Sequence, residues 1–108
     1  MFAKHDRAGY TTPLDKVQMK TLVHGDKTLM AEFLLEQGAM LPRHSHPHEQ
    51  TGYLISGCIE LTVNGETHRL SPGDSWCIPG SVEHNAIAHE RSVVIEVFSP
   101  VREEYLRR

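Results

Sequence analysis

Three histidines stand at alternate positions, His44, His46 and His48, with Gln50 two residues beyond them. A fourth, His84, follows the turn signal Pro79-Gly80 further along the chain. Neutral imidazole nitrogens are the usual protein ligands for zinc, nickel, iron, manganese and copper. A metal's ligands normally come from separate segments that converge in space. Neither solubility nor core packing accounts for this pattern, so a metal site is the leading expectation. Alternate positions aim side chains to one side of a regular strand. Pro47 interrupts that regularity, because proline cannot donate to a ladder and often marks a bulge. Periodicity therefore leaves two pairings open, His44 with His46 or His46 with His48.

The elements that must position these residues are strands. From Thr28 to Glu36 the chain alternates, with Leu29, Ala31, Phe33 and Leu35 on one face and Met30, Glu32 and Glu36 on the other; Leu34 is the exception. Gln18 to Val23 is expected as a first strand and Tyr53 to Ile55 as another, closed by Ser56-Gly57. Cys58 to Val63 and Glu66 to Leu70 should form a hairpin, because Asn64-Gly65 suits the positive φ angles of a type I′ turn. Further strands are expected over Ser75 to Ile78, His84 to Ala88 and Val93 to Phe98, with a short helical turn in Arg102 to Arg108. Short strands separated by frequent turn signals predict an all-β sandwich or barrel. Trp76, Ile78, Phe33, Ile55, Leu61 and Val63 are expected in the core or at a dimer interface, and Met40 in the core, with the barrel mouth as the alternative place for Trp76 and Met40.

The 108 residues predict one domain, 1–108, able to bury roughly two-thirds of its unfolded surface without disulfides. A net charge of −3 and the absence of any longer basic cluster than Arg107-Arg108 argue against nucleic acid as a partner. No stretch approaches about 18 apolar residues and the first residues lack a signal-peptide core, so no membrane role and a cytoplasmic location are expected. Cys58 and Cys77 form no CxxC pair and are expected as buried reduced thiols. His5, His24, His68 and His89 have no partner in the pattern and are expected on the surface.

The histidine run resembles the first motif of the cupin superfamily, G-x5-H-x-H-x3-E-x6-G. Gly38, His44, His46, Gln50 and Gly57 fit its spacing, with glutamine in place of the glutamate. The second motif, G-x5-P-x-G-x2-H-x3-N, is met by Gly73, Pro79 and His84. It departs in placing glycine at position 80 rather than 81 and Ala88 at the terminal position. The motif core spans 38–88. This resemblance implies a double-stranded β-helix, or jelly-roll, barrel. It also implies one divalent transition metal (Zn, Ni, Mn or Fe) held by His44, His46, Gln50 and His84, with His48 beside the site or at the barrel mouth. A carboxamide ligand would leave the metal its full charge, favouring anionic oxygen ligands and lowering the expectation of iron-oxygenase chemistry.

The tail Glu96-Val97-Phe98-Ser99-Pro100-Val101-Arg102 adds a second clue. Glu96 is a charged residue in an apolar strand, two positions before Phe98. Together with the histidine run, this tail resembles the small cupins of the pectin-degradation type, which linearise 4,5-unsaturated galacturonate. That resemblance implies catalytic roles for Glu96, Phe98 and Arg102, with Glu96 one methylene longer than that group's aspartate. The expected function is metal-assisted proton transfer on a small carboxylate-bearing sugar, by a homodimer. The alternatives are a non-catalytic module that binds or senses a small molecule and, below it, a metal-dependent dioxygenase. A buried Glu96 facing the histidines favours the enzyme; Glu96 in solvent favours the binder.

Overall fold

A computed structural model describes residues 1–106. Ten strands follow one another: β1 (Thr11–Leu14), β2 (Val17–His24), β3 (Leu29–Leu35), β4 (Met40–His44), β5 (Glu49–Ser56), β6 (Ile59–Val63), β7 (Glu66–Leu70), β8 (Ser75–Ile78), β9 (His84–Ala88) and β10 (Ser92–Ser99). They form two antiparallel sheets, one in the order β1-β2-β3-β10-β5-β8 and one in the order β4-β9-β6-β7. The two sheets enclose a jelly-roll barrel. Alternation decides which side chains enter it. On β3 Leu29, Ala31, Phe33 and Leu35 are buried, and on β10 Ser92, Val94, Glu96 and Phe98 are. With Val17, Met19, Leu54, Ile59 and Ala88 these apolar residues make one continuous core. Asn64 and Gly65 both take positive φ, 49° and 82°, and join β6 to β7 with Val63 opposite Glu66.

Two strands escape the sequence patterns, β1 and β4. Both lie at sheet edges, both contain a proline (Pro13 and Pro42), and neither has a buried residue. An edge strand facing water has no apolar alternation to read, and proline is tolerated there because one side of the strand needs no partner. β5 is longer than expected and turns Gln50, Gly52 and Leu54 inward, so Ile55 belongs to the outer face and not the core, 49% exposed like Tyr53. Met40 is likewise exposed rather than core, and of the two cysteines Cys58 is buried while Cys77, on the outward face of edge strand β8, is exposed. In the tail a single 3-10 turn, Glu103–Tyr105, replaces the longer helical turn, whose residues 107–108 lie outside the described residues. His5, His24 and His68 are exposed, whereas His89 is half-buried, with Nε2 3.1 Å from Glu60. No helix among the described residues is long and apolar enough to cross a membrane.

Candidate metal centre

Strand register assembles the site. His44 ends β4 and pairs with His84, the first residue of β9, so the two rings meet with centroids 4.2 Å apart. Gln50 lies on β5 opposite Phe98 of β10, one step from Glu96, which lies opposite Gly52. His46 and His48 belong to the loop between β4 and β5. The loop before β9 clasps that segment: the Ser81 N–H donates to the His46 carbonyl at 2.7 Å. A Cβ on Gly80 would lie 2.5 Å from the Pro47 carbonyl oxygen, so only glycine fits there. Ser81, not Gly80, takes the positive φ of 64°. The departure from the second cupin motif thus has a physical reason: Gly80 is needed for close approach, and a serine accepts the left-handed turn.

Ring nitrogens of His44, His46 and His84 lie within 4.8 Å of one another. Each Nδ1 rests on a backbone carbonyl, that of Pro42 for His44 (2.8 Å), His48 for His46 (3.0 Å) and Val82 for His84 (2.9 Å). A carbonyl only accepts, so the proton is assigned to Nδ1 in all three and the Nε2 lone pairs are left for a ligand. Burial, foremost, lowers the pKa of His46 and of His84, which keeps these rings neutral.

The Nε2 atoms are poorly served by the protein alone. His84 Nε2 is buried without a partner. His46 Nε2 lies 2.9 Å from Gln50 Oε1, and with the proton on Nδ1 these two atoms present lone pairs to each other. Turning the Gln50 amide would satisfy His46 but leave His84 orphaned. One cation shared by the imidazoles and the amide oxygen satisfies them all, so the donor set fits a divalent metal. His48 lies outside this cluster. Its ring centroid is 5.6 Å from that of His46, and its carbonyl holds His46 Nδ1.

A cavity of about 80 Å³, enough for several water molecules, opens beside the histidines. His44, Gln50, His84, Glu96, Phe98 and Arg102 all line it. Glu96 is 7% exposed, with Oε2 buried and unpartnered. Burial pushes its carboxyl up to about 8, partly opposed by the facing Gln50 amide and Trp76 indole. Arg102 rests against two neighbouring rings, its guanidinium carbon 5.1 Å from the Phe98 centroid and 4.4 Å from that of Tyr105. Glu104 takes its Nη2 at 3.2 Å, while its buried Nε has no partner and remains a donor for an anion. Tyr105 is the site residue that sequence reasoning passed over. It also packs edge-on against Phe33 and Phe98, at 6.2 and 5.4 Å. Its only sequence signal is an aromatic three residues after Arg102 in a charged tail.

These features carry two predictions for the metal-free chain. The core does not run through the histidine cluster. Chelation should therefore lower the melting temperature while the β circular-dichroism signal persists at room temperature; loss of that signal would make the metal structural. The second concerns pH. Folded Glu96 keeps its proton up to about 8, whereas the unfolded residue ionises near 4.5. The folded state binds the extra proton between those limits, so this group's contribution to stability falls as pH rises through them. His46 and His84, with lowered values, act oppositely, costing stability as pH falls through the unfolded value of 6.5. Glu96→Gln removes only the first slope. Melted in EDTA, the variant should gain on the wild type from about pH 5 to about pH 8; a constant difference would contradict the buried acid.

Two antiparallel sheets closed over a histidine-lined cavity define a cupin barrel of the metal-binding type. Residues 31–98 match the cupin domain family, and the chain belongs to that family. It is similar to the pectin degradation protein KdgF of Dickeya dadantii, 30% identical over 94 residues that cover 85% of this chain and 86% of the relative. Among solved structures it resembles KdgF from a Halomonas species, with a TM-score of 0.91, 32% identity and 96% of each chain covered. An RmlC-like cupin from Shewanella frigidimarina superposes with the same TM-score of 0.91 at 25% identity, covering 96% of this chain and 94% of that one.

Proposed function

We propose that this protein is a metal-dependent enzyme of pectin breakdown that linearises a 4,5-unsaturated uronate, its metal held by His44, His46, Gln50 and His84. The observation that carries the reading is that a buried carboxyl, Glu96, and an unpaired arginine donor, Arg102 Nε, line the same cavity beside the histidines. Similarity to two pectin-degradation cupins supports the same substrate class. A cation with only neutral ligands keeps its full charge, worth on the order of 4 kcal/mol per charge at about 4 Å and a dielectric near 20, and would supply Lewis acidity toward sugar oxygens.

The chain's own residues do the rest. Arg102 pairs with the substrate carboxylate and is held in place by Phe98 and Tyr105. Phe98 also walls the cavity and limits water. Glu96, with a pKa of about 8, is poised both to take and to give a proton near neutral pH. It takes the proton of the anomeric hydroxyl as the bond from C1 to the ring oxygen breaks, which leaves an aldehyde at C1 and an enolate oxygen on C5. It then delivers that proton to C4 as the enolate becomes a ketone. No atom is gained or lost, so the reaction is an isomerisation.

Incubating the metal-loaded protein with an unsaturated galacturonate in D2O tests this reading by NMR. One deuteron on a single face of C4 is expected. An equal mixture of faces would mean that protonation follows release, and no product would favour the binding or sensing module. Arg102→Ala should weaken binding of carboxylate substrates by about 10-fold to 100-fold, the range for a lost charge-assisted hydrogen bond. An unchanged KM would remove Arg102 from the site. The proposed assembly is a homodimer, for which Met30, Tyr53 and Ile55 on the outer face of the six-stranded sheet supply apolar surface.

A further inference from the structure

Glu96, Gly52 and Trp76 form one row across three neighbouring strands, with Glu96 opposite Gly52 and Gly52 opposite Trp76. The middle position has no side chain, and the Trp76 indole fills its place. A Cβ on Gly52 would fall 2.2 Å from both Cε2 and Nε1 of that ring. The indole therefore leans over bare backbone toward Glu96, and both residues line the cavity. Trp76 Nε1 is buried without a partner, and so is Glu96 Oε2. A buried N–H and a buried carboxyl oxygen, each unpaired and on residues that line one cavity, are a donor and an acceptor that can serve one another. The indole also favours the charged form of Glu96.

We propose that Trp76 is a positioning residue for Glu96, and that Gly52 is glycine so that the indole can reach the carboxyl. A carboxyl has two oxygens and can swing about its last bond. An N–H on one oxygen aims the other into the cavity, where a proton must be passed. This inference rests on the proposed role of Glu96 in proton transfer.

Trp76→Phe keeps an aromatic ring and removes the donor. It should lower kcat about 10-fold or more with KM and metal content unchanged, as outer partners of a reacting group do. In a Glu96→Gln background the same change should cost little further, because the pair acts as a unit. Gly52→Ala, which displaces the indole without deleting it, should reproduce the loss of kcat. A readout independent of turnover comes from the single tryptophan, which gives one indole N–H resonance in labelled protein. Glu96→Ala and Gly52→Ala should each move that resonance upfield. Full kcat in Trp76→Phe, or an indole resonance indifferent to Glu96→Ala, would overturn the inference. If the wild type turns over no uronate while the resonance still follows Glu96, the contact stands and the catalytic role proposed for it falls with the proposed function.

Discussion

Glu96→Gln is expected to bind metal and substrate as the wild type does and to slow turnover by about 100-fold or more, the usual contribution of a positioned general acid–base. Glutamine fills the same space and still hydrogen-bonds, but it cannot carry the proton from oxygen to carbon. Glu96 is buried beside Gln50 and Trp76, and neither an amide nor an indole can carry the proton in its place. Kinetics with an unsaturated uronate, alongside metal analysis of the same preparation, separate the two effects. Wild-type turnover in this variant would eliminate Glu96 as the proton carrier.

Removal of a ligand should have the other large effect. Gln50→Ala and His84→Ala are each expected to weaken metal binding by more than the roughly 10-fold to 100-fold typical of outer partners, and activity should fall with occupancy. His84 is the sharper case, since its Nε2 is buried and unpartnered in the protein alone. His48→Ala should largely keep its metal, because the His48 ring lies outside the group of converging nitrogens and meets His46 edge-on, while the carbonyl that holds His46 Nδ1 is backbone. If His48→Ala emptied the site while His44→Ala did not, the ligand pair would be His46 with His48.

The legible strands were those with a buried face. β3 and β10 show a period of two because one side packs in the core, and the Asn64-Gly65 turn marks the β6–β7 hairpin locally. β1 and β4 could not be seen, since a solvated edge imposes no pattern on its side chains. Apolar character alone also failed to separate inward Leu54 from outward Ile55, which only pairing with β8 and β10 decides. In the site, the histidine spacing pointed to chemistry, and the motif resemblance selected His44 with His46. The meeting of His44 with His84, and of Gln50 with Phe98, is a matter of register between distant strands that no local pattern encodes. Tyr105 and the polar role of Trp76 depend on the same long-range geometry.

The most direct measurement takes protein stripped by a chelator, reloads it with one equivalent of a divalent transition metal, and follows the double-bond absorbance of an unsaturated galacturonate. Reloaded wild type should consume the substrate and stripped protein should not, with Glu96→Gln close to the stripped baseline. Metal-replete wild type that left the absorbance at its spontaneous rate of decay would contradict the account and assign the fold to binding rather than catalysis.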